Sequence, residues 1–385
     1  MSQIIEFCCA FCAGKLPVAI LELGEFPPLN KTNATEPKPL NVTVCGQCGL
    51  TQLNSSFSQH DNFPDEYPFR TSGTKMLRQN LEELKSELID LVGIPDNILD
   101  IGCNDGTFLS MFYQYDIELF GIDPAEINVI DKRLNIIKGF FTEDYELSQK
   151  FDVVVLTNTF AHLENPKESL HKIWDILGPN GVLVIEVVDL DTMSELREFD
   201  KFTHEHRMFL NVETVTNFLK GTGFQPFLTK KIPTHGGSIR MYSRKMDLPR
   251  TGNLEDPKIA TERLLKFSVQ INEMREETQG IILANQIVLK DCVGLGATNR
   301  GAIMLSNLGI TLNTIVDRDE SARIGRKFNQ ADVISDSQFL AEHQSNTTCV
   351  ILAWHVAEEI MANMKSRGYS GNFLILLPKP RFYKS

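Results

Sequence analysis

The 385-residue chain has no apolar run approaching the roughly 20 residues that a bilayer-spanning helix needs. Its first residues, Met1-Ser2-Gln3-Ile4-Ile5-Glu6, hold neither a basic stretch nor a hydrophobic one, so no signal peptide is expected and the cytoplasm is the expected compartment. A surplus of positive charge is also missing. Lys and Arg number 38 against 50 Asp and Glu, for a formal charge of −12. Nucleic-acid binders carry a basic face, so neither DNA, RNA nor a membrane is the expected partner. No internal repeat is evident. What is present is ordinary for a folded chain, 42% hydrophobic and 23% charged residues, with length enough for two or three domains that each bury a core.

Cysteine is unevenly placed. Five of the eight fall in the first 48 residues, while Cys103, Cys292 and Cys349 stand alone. Cys9-Ala-Phe-Cys12 and Cys45-Gly-Gln-Cys48 form two C-x-x-C pairs separated by 32 residues. Two such pairs supply four thiolates in a tetrahedral array, the donor set of a structural zinc site with no open coordination position. In a reducing compartment clustered thiols point to metal before disulfide. The surrounding segment is interrupted by Pro27-Pro28, Pro37 and Pro39, leaving room only for short strands such as Asn41–Val44. Metal would help fold a stretch poor in apolar residues.

Helical periodicity begins near Lys75 and runs through Leu77, Leu81, Leu84, Leu88 and Leu91. From Ile98 to about Tyr242, strand-like runs (Ile98–Ile101, Leu119–Ile122, Val153–Leu156, Val182–Val187) alternate with helical segments, as in a parallel α/β sheet. A long amphipathic stretch from about Glu255 to Val288 predicts one long helix or a helical hairpin. The α/β rhythm then restarts with Asp291–Leu295, Thr314–Asp317, Cys349–Ala353 and Phe373–Leu377. Three domains are expected: residues 1–75, which bind zinc; 76–248; and 249–385, an α/β domain led by a long helix.

Ile98-Leu-Asp-Ile-Gly-Cys-Asn-Asp-Gly106 runs from a buried strand into a glycine turn. Glycine turns of this kind usually cradle phosphate, which carboxylates repel. Here Asp100 and Asp105 sit in the turn, so a cationic ligand is the better guess. S-adenosylmethionine has a sulfonium, an ammonium and a ribose diol, and no pyrophosphate. Gly102 and Gly106 would let the backbone approach it, Asp100 would reach its methionine or ribose portion, and Asp123, 23 residues later, its ribose hydroxyls. A nicotinamide or flavin site shares the ribose acid, but Asn104 stands where G-x-G-x-x-G needs its middle glycine. Phe141, with Phe140, is a candidate to flank the adenine. Asn158 follows the strand Val153–Leu156, and ligands collect at the carboxyl ends of parallel strands.

Further candidates lie in Phe199-Asp-Lys-Phe-Thr-His204-Glu205-His206, in Asn158-Thr-Phe-Ala-His162 and in Thr234-His235-Gly-Gly-Ser-Ile-Arg240. Two histidines flanking a glutamate lack the H-E-x-x-H spacing of a helical zinc site. Such histidines are also compatible with a solvated loop, but four of the chain's eight lie near strand ends of one domain. Gly294-Leu-Gly-Ala-Thr-Asn-Arg300 resembles a nucleotide-binding turn without an acid, in which Arg300 meets a diphosphate; a purely structural turn fits equally.

The double C-x-x-C, D-I-G-C-N-D-G, N-x-x-x-H, F-D-x-x-x-H-E-H, H-G-G-S-x-R and G-x-G-A-T occur in this order over nearly the whole chain. The chain resembles the three-domain, S-adenosylmethionine-dependent sugar C-methyltransferases, which methylate nucleotide-linked 4-keto-deoxysugars at C3. The resemblance implies a class I methyltransferase Rossmann-like α/β domain between a small N-terminal zinc-binding domain and a C-terminal Rossmann-like α/β domain. It puts the general base on His206 beside Glu205, a second active-site histidine on His162, and a tyrosine from the N-terminal domain on Tyr67. His162 and Tyr67 become candidate donors to the enolate oxygen, and His204, His235, Arg240 and Arg300 candidate contacts to a small-molecule nucleotide-sugar substrate. Where the family has tyrosine before H-E-H, this chain has Thr203, and Ile324–Gln330 lacks the family's proline-glycine loop. O- or N-methylation with the same cofactor, and a non-catalytic zinc-containing binding protein, are the other readings. A monomer is compatible with the sequence, which leaves oligomeric state open.

Overall fold

The computed structural model describes residues 8–28, 30, 36–65, 67, 70–73, 75–126, 133–142, 147, 149–246, 252–321, 323–342 and 347–384. The chain forms two compact units. One holds Met1–Ile20, Phe26–Thr192 and His204–Glu262; the other holds Leu21–Glu25, Met193–Thr203 and Arg263–Ser385.

The first unit is built on seven strands: β1 (Asn97–Ile101), β2 (Glu118–Asp123), β3 (Asn135–Lys138), β4 (Phe151–Thr157), β5 (Leu177–Val188), β6 (Phe224–Ile232) and β7 (Ser238–Lys245). They lie in the order β3-β2-β1-β4-β5-β7-β6, parallel except for β7, which runs antiparallel to both neighbours. The central strands are covered on both faces, so β1 and β4 read as continuous apolar runs with Ile98, Leu99, Val153, Val154 and Val155 fully buried. Helix α1 (Lys75–Val92) begins where the periodicity predicts and buries Leu77, Asn80, Leu81, Leu84 and Leu88. The other helices that matter here are α2 (Pro166–Ile176) and α3 (Val212–Gly221), while α4 (Pro257–Ala284) starts in this unit and belongs from Arg263 on to the second. The predicted helix over Glu255–Val288 is α4, one helix and no hairpin. Strand order reverses at β1, with β2 on one side and β4 on the other, so the segments after β1 and β4 flank a crevice at the sheet's carboxyl edge.

The N-terminal cysteine segment does not separate from this unit. Thr51–Leu53 pairs with Lys38–Val44 on one side and with Met208–Phe209 on the other, and the Leu254 and Glu255 amides bond the Cys48 carbonyl at 2.8 and 3.1 Å. Those long-range ladders tie the cysteine segment into the first unit.

The second unit carries its own sheet: β8 (Val293–Leu295), β9 (Thr314–Asp317), β10 (Lys327–Phe328), β11 (Ala331–Ser335), β12 (Thr348–Ile351), β13 (Asn372–Ile375) and β14 (Arg381–Tyr383). The order is β10-β11-β9-β8-β12-β13-β14, with five parallel strands between antiparallel edges. Helix α5 (Asn299–Asn307) follows β8, capped by Thr298, whose hydroxyl accepts from the Gly301 amide. Among the described residues no helix is long and apolar enough to cross a membrane.

Candidate active site

Strand β1 delivers Asp100 to the sheet's edge, and the chain then turns through three left-handed residues: Gly102 (φ 77°), Asn104 (φ 49°) and Gly106 (φ 77°). Asparagine is among the few side chains that tolerate this region, which explains how Asn104 replaces a glycine here. Its amide donates to Asp123 Oδ2 at 2.9 Å, and its side-chain oxygen accepts from the Thr71 amide at 3.0 Å. Gly102 has no room for a side chain, since a Cβ would lie 2.1 Å from Thr159 Oγ1.

The acids of the turn differ sharply. Asp105 is consumed locally: Oδ2 accepts from the Ser72 amide at 3.0 Å, and Oδ1 from the Thr107 hydroxyl at 2.6 Å and its amide at 3.3 Å. Burial opposes ionisation, yet these donors hold its carboxyl below the usual range. Asp105, expected to contact the cofactor, therefore braces the turn. Asp123 closes β2 and accepts from the Asn104 and Ala125 amides, both at 2.9 Å; burial raises its pKa and the amides oppose. Asp100 is buried with Oδ1 lacking any hydrogen-bond partner, and burial, then Asp123, pushes its pKa up to about 8.

Asn158, just past β4, has a left-handed backbone (φ 55°) and a buried Oδ1 that also lacks a partner. Two unsatisfied acceptors thus lie at the carboxyl ends of adjacent strands. A buried acceptor left without a donor costs about 1–3 kcal/mol, and a ligand ammonium supplies donors to both. With the acceptor at Asp123 for a diol, these residues fit S-adenosylmethionine. Phe141 is buried in the apolar cluster that includes Ile122 and Leu156, while Phe140 meets the His60 ring edge-on at 4.7 Å.

A second cluster forms where Phe160–His162 meets the H-E-H segment. The His162 and His206 rings stack at 4.7 Å and 14°. His162 Nδ1 lies 2.8 Å from the Glu205 carbonyl, which can only accept, so this nitrogen carries the ring's proton. Burial lowers the His162 pKa, against the pull of the Glu205 and Asn158 carbonyls, and favours the neutral ring. Its one proton is then committed to Glu205, which removes His162 from the expected role of donor to a substrate oxygen. Tyr67 Oη donates to Glu205 Oε2 at 3.3 Å. Burial, and then Glu205 and Asp123, raise the Tyr67 pKa well above its ordinary value, so the phenol keeps its proton. Phe63 packs between, 5.0 Å from the His162 ring and 5.5 Å from that of Tyr67.

Four expected substrate contacts fare differently. His204 is buried edge-on against Phe57 at 4.9 Å, with Nε2 3.2 Å from the Lys38 carbonyl; burial pulls its pKa down to about 4. It is a packed neutral ring and not a substrate ligand. Arg240 is completely buried, bonded to Glu186 (3.0 Å), Glu87 (2.8 Å), the Asn80 carbonyl (3.1 Å) and Asn80 Oδ1 (2.6 Å). Its guanidinium has no face left for a substrate. Arg300, in the second unit, clamps Asp200 through two bonds of 2.8 and 3.1 Å, with the Trp354 ring at 5.0 Å and Trp354 Nε1 donating to Asp200 at 2.9 Å. The anion expected of a diphosphate is thus supplied by the protein's own carboxylate. His235 takes a left-handed φ of 55° in the β6–β7 turn, at the carboxyl edge.

The four thiol sulfurs of Cys9, Cys12, Cys45 and Cys48 all lie within 4.8 Å of one another. Each pair turns back on itself through backbone bonds: Ala13 N to Cys9 O and Gly49 N to Cys45 O, both 2.9 Å. Gly49 needs its positive φ of 80°, since a Cβ would lie 2.3 Å from the Glu255 carbonyl oxygen. Four converging sulfurs without a disulfide are a fitting donor set for a tetrahedral metal.

Residues 74–228 match the family model of a methyltransferase domain, and residues 233–378 that of a C-methyltransferase C-terminal domain. The C-methyltransferase NovU of Streptomyces niveus is 23% identical over 371 residues, 89% of this chain and 87% of that protein. A ubiquinone biosynthesis O-methyltransferase of Bradyrhizobium sp. (strain ORS 278) is 24% identical over 140 residues, 32% of this chain and 55% of the relative. Among solved structures, the Burkholderia thailandensis 1,6-didemethyltoxoflavin-N1-methyltransferase with bound S-adenosylhomocysteine superposes with a TM-score of 0.38 at 14% identity, over 53% of this chain and 98% of that one. The chain is an S-adenosylmethionine-dependent methyltransferase, and its residues 233–378 are similar to a C-methyltransferase C-terminal domain.

Proposed function

We propose that the enzyme methylates carbon, at the position next to the ketone of a nucleotide-linked keto-deoxysugar, through an enolate generated by His206. The observation that carries this reading is the stacked His162–His206 pair beside the Tyr67–Glu205 bond. A carbon next to a ketone is a poor nucleophile until it loses a proton, and a positioned imidazole removes one. His206 is the base. Neutral His162 lies flat on it and adds no second positive charge as His206 takes up the proton. Glu205 is held from two directions, its carbonyl by His162 and its carboxylate by Tyr67. The Tyr67 phenol keeps its proton and donates it in a hydrogen bond to the Glu205 carboxylate, which fixes Glu205 beside the base. The cofactor supplies an electrophilic methyl group, and Asp100, Gly102, Asp123 and Asn158 hold it. Zinc in the Cys9/Cys12/Cys45/Cys48 site is structural, since four thiolates leave no open position. The NovU relative, named as a C-methyltransferase, supports carbon as the acceptor.

The test is solvent deuterium exchange at the carbon beside the ketone, run across nucleotide ketosugars with S-adenosylhomocysteine in place of S-adenosylmethionine. The wild type should exchange one of them, and His206→Ala should lose exchange by about 10²–10⁴-fold while still binding S-adenosylhomocysteine. A methyl ether or methylamine product, or near-normal turnover by His206→Ala, would overturn the reading.

A further inference from the structure

One buried charge in the first unit has no part in the chemistry above. Glu186 lies within the apolar strand β5 and is fully buried. Its neighbours across the sheet form a single polar row. Thr157 on β4, Glu186 on β5, Arg240 on β7 and Lys230 on β6 are register partners in sequence. Helix α1 lays Asn80 and Glu87, two turns apart, on the same row: Asn80 Nδ2 donates to Glu186 Oε1 at 2.9 Å, and Glu87 takes Arg240 and Lys230 at 2.8 and 2.7 Å.

The row ends at Asn158. Its backbone amide donates to the Glu186 carbonyl at 2.8 Å, and its side-chain Nδ2 donates to Glu186 Oε1 at 3.5 Å. A carboxylate only accepts, so it admits the NH₂ end of an amide and refuses the carbonyl end. The carbonyl end of Asn158 therefore points away from Glu186, and it is this oxygen that is buried without a partner. Arg240 Nε on Glu186 Oε2, at 3.0 Å, leaves that carboxylate no other orientation.

We infer that Glu186 is a positioning residue for the cofactor: it fixes the Asn158 amide so that its oxygen, together with Asp100, receives the ammonium of the cofactor's methionine portion. Arg240, set in H-G-G-S-x-R, holds Glu186 in place for that task. The inference concerns cofactor binding only and is independent of which acceptor is methylated.

A purely structural role for Glu186 would weaken every adenosine ligand alike. The proposed role weakens only ligands that carry the amino-acid portion. Calorimetric titration of the full-length enzyme with S-adenosylhomocysteine, and with 5′-methylthioadenosine, which lacks that portion, separates the two. Glu186→Gln offers one oxygen where Asn80, Arg240 and Asn158 all require an acceptor. It should lower S-adenosylhomocysteine affinity about tenfold, the loss of one charge-assisted hydrogen bond, and change methylthioadenosine affinity less than twofold. Asn158→Ala should reproduce that selectivity, and the double variant should bind no more weakly than Asn158→Ala alone. Equal losses for both ligands, no loss for either, or additive losses in the double variant would each overturn the proposal. Asn158→Ala removes only the outer member of the network, leaving the Asn80 and Arg240 bonds to Glu186, and remains informative if Glu186→Gln folds poorly.

Discussion

Removing the carboxylate of Asp100 should change the proton balance of cofactor binding, not only its strength. Burial, and to a lesser degree Asp123, moves the Asp100 pKa from 3.8 to about 8. At about 1.36 kcal/mol per unit, the ionised form is disfavoured by roughly 6 kcal/mol relative to water. At pH 7 the protonated form of Asp100 is therefore favoured in the ligand-free enzyme. A cofactor ammonium at its unpartnered oxygen reverses this balance, so binding expels the proton. Titration with S-adenosylhomocysteine at pH 7, in buffers of different ionisation enthalpy, should report release of nearly one proton. Affinity should rise with pH, by up to about tenfold per unit, and level off above about 8.

The stability of the ligand-free enzyme should run the other way. A carboxyl with a raised folded-state pKa binds more protons folded than unfolded between about pH 4 and 8, so its contribution is present below that window and lost as pH rises through it. Asp100→Asn should flatten both profiles and release no proton. The reasoning fails if the wild type binds without proton release, or if Asp100→Asn releases as many protons as the wild type.

Gly102→Ala should cost at least tenfold in S-adenosylhomocysteine affinity, because its Cβ would meet Thr159 at 2.1 Å in a left-handed backbone, whereas Gly73→Ala, with open space around it, should bind normally. Equal binding by both variants would contradict the tight approach at Gly102. Elemental analysis should find one zinc per chain in the wild type and clearly less in Cys45→Ser, with a lower thermal midpoint; a metal-free wild type at full stability would refute the site. Arg300→Ala strands the fully buried Asp200 carboxylate and should destabilise the second unit by about 3 kcal/mol in denaturant unfolding, with partial recovery in Arg300→Ala/Asp200→Asn. A cost below about 0.5 kcal/mol would mean that the clamp is not what holds Asp200.

Features with local causes could be read from the chain directly. The alternation of apolar strands and amphipathic helices, the start of α1 at Lys75 and the two C-x-x-C turns each depend on neighbours a few residues away. The turn after β1 was legible as a ligand-approach loop, but not the division of labour among its acids, because Asp105 is claimed by Ser72, 33 residues earlier. Distance along the chain hid more. Arg240 is neutralised by Glu87 from 153 residues away, and Arg300 by Asp200 from 100. Both arginines look available in sequence and are spent in the fold. Glu186 did leave a trace, as the one acid in Val182-Leu-Val-Ile-Glu-Val-Val188, where a strand buried on both faces has no reason to hold a charge without a partner.

The same accounting separates residues that hold the protein together from those that hold a ligand. Arg240, Arg300 and Asp105 are polar groups whose hydrogen bonds are made within the chain, and a ligand competing for them would have to break those bonds first. Asp100 and Asn158 are the reverse: Asp100 is buried and Asn158 half-buried, and each keeps a buried acceptor oxygen unpaired. They lie at the ends of neighbouring strands, Asp100 being the register partner of Val155 on β4, three residues before Asn158. Both oxygens are acceptors, so what satisfies them must donate, and a donor with more than one hydrogen can satisfy both. A pyrophosphate, which only accepts, would leave the Asn158 oxygen unsatisfied and would keep Asp100 from ionising. The choice between sulfonium cofactor and dinucleotide therefore rests on two unpaired oxygens more firmly than on the number of acids in the turn, since one of those acids, Asp105, faces its own backbone.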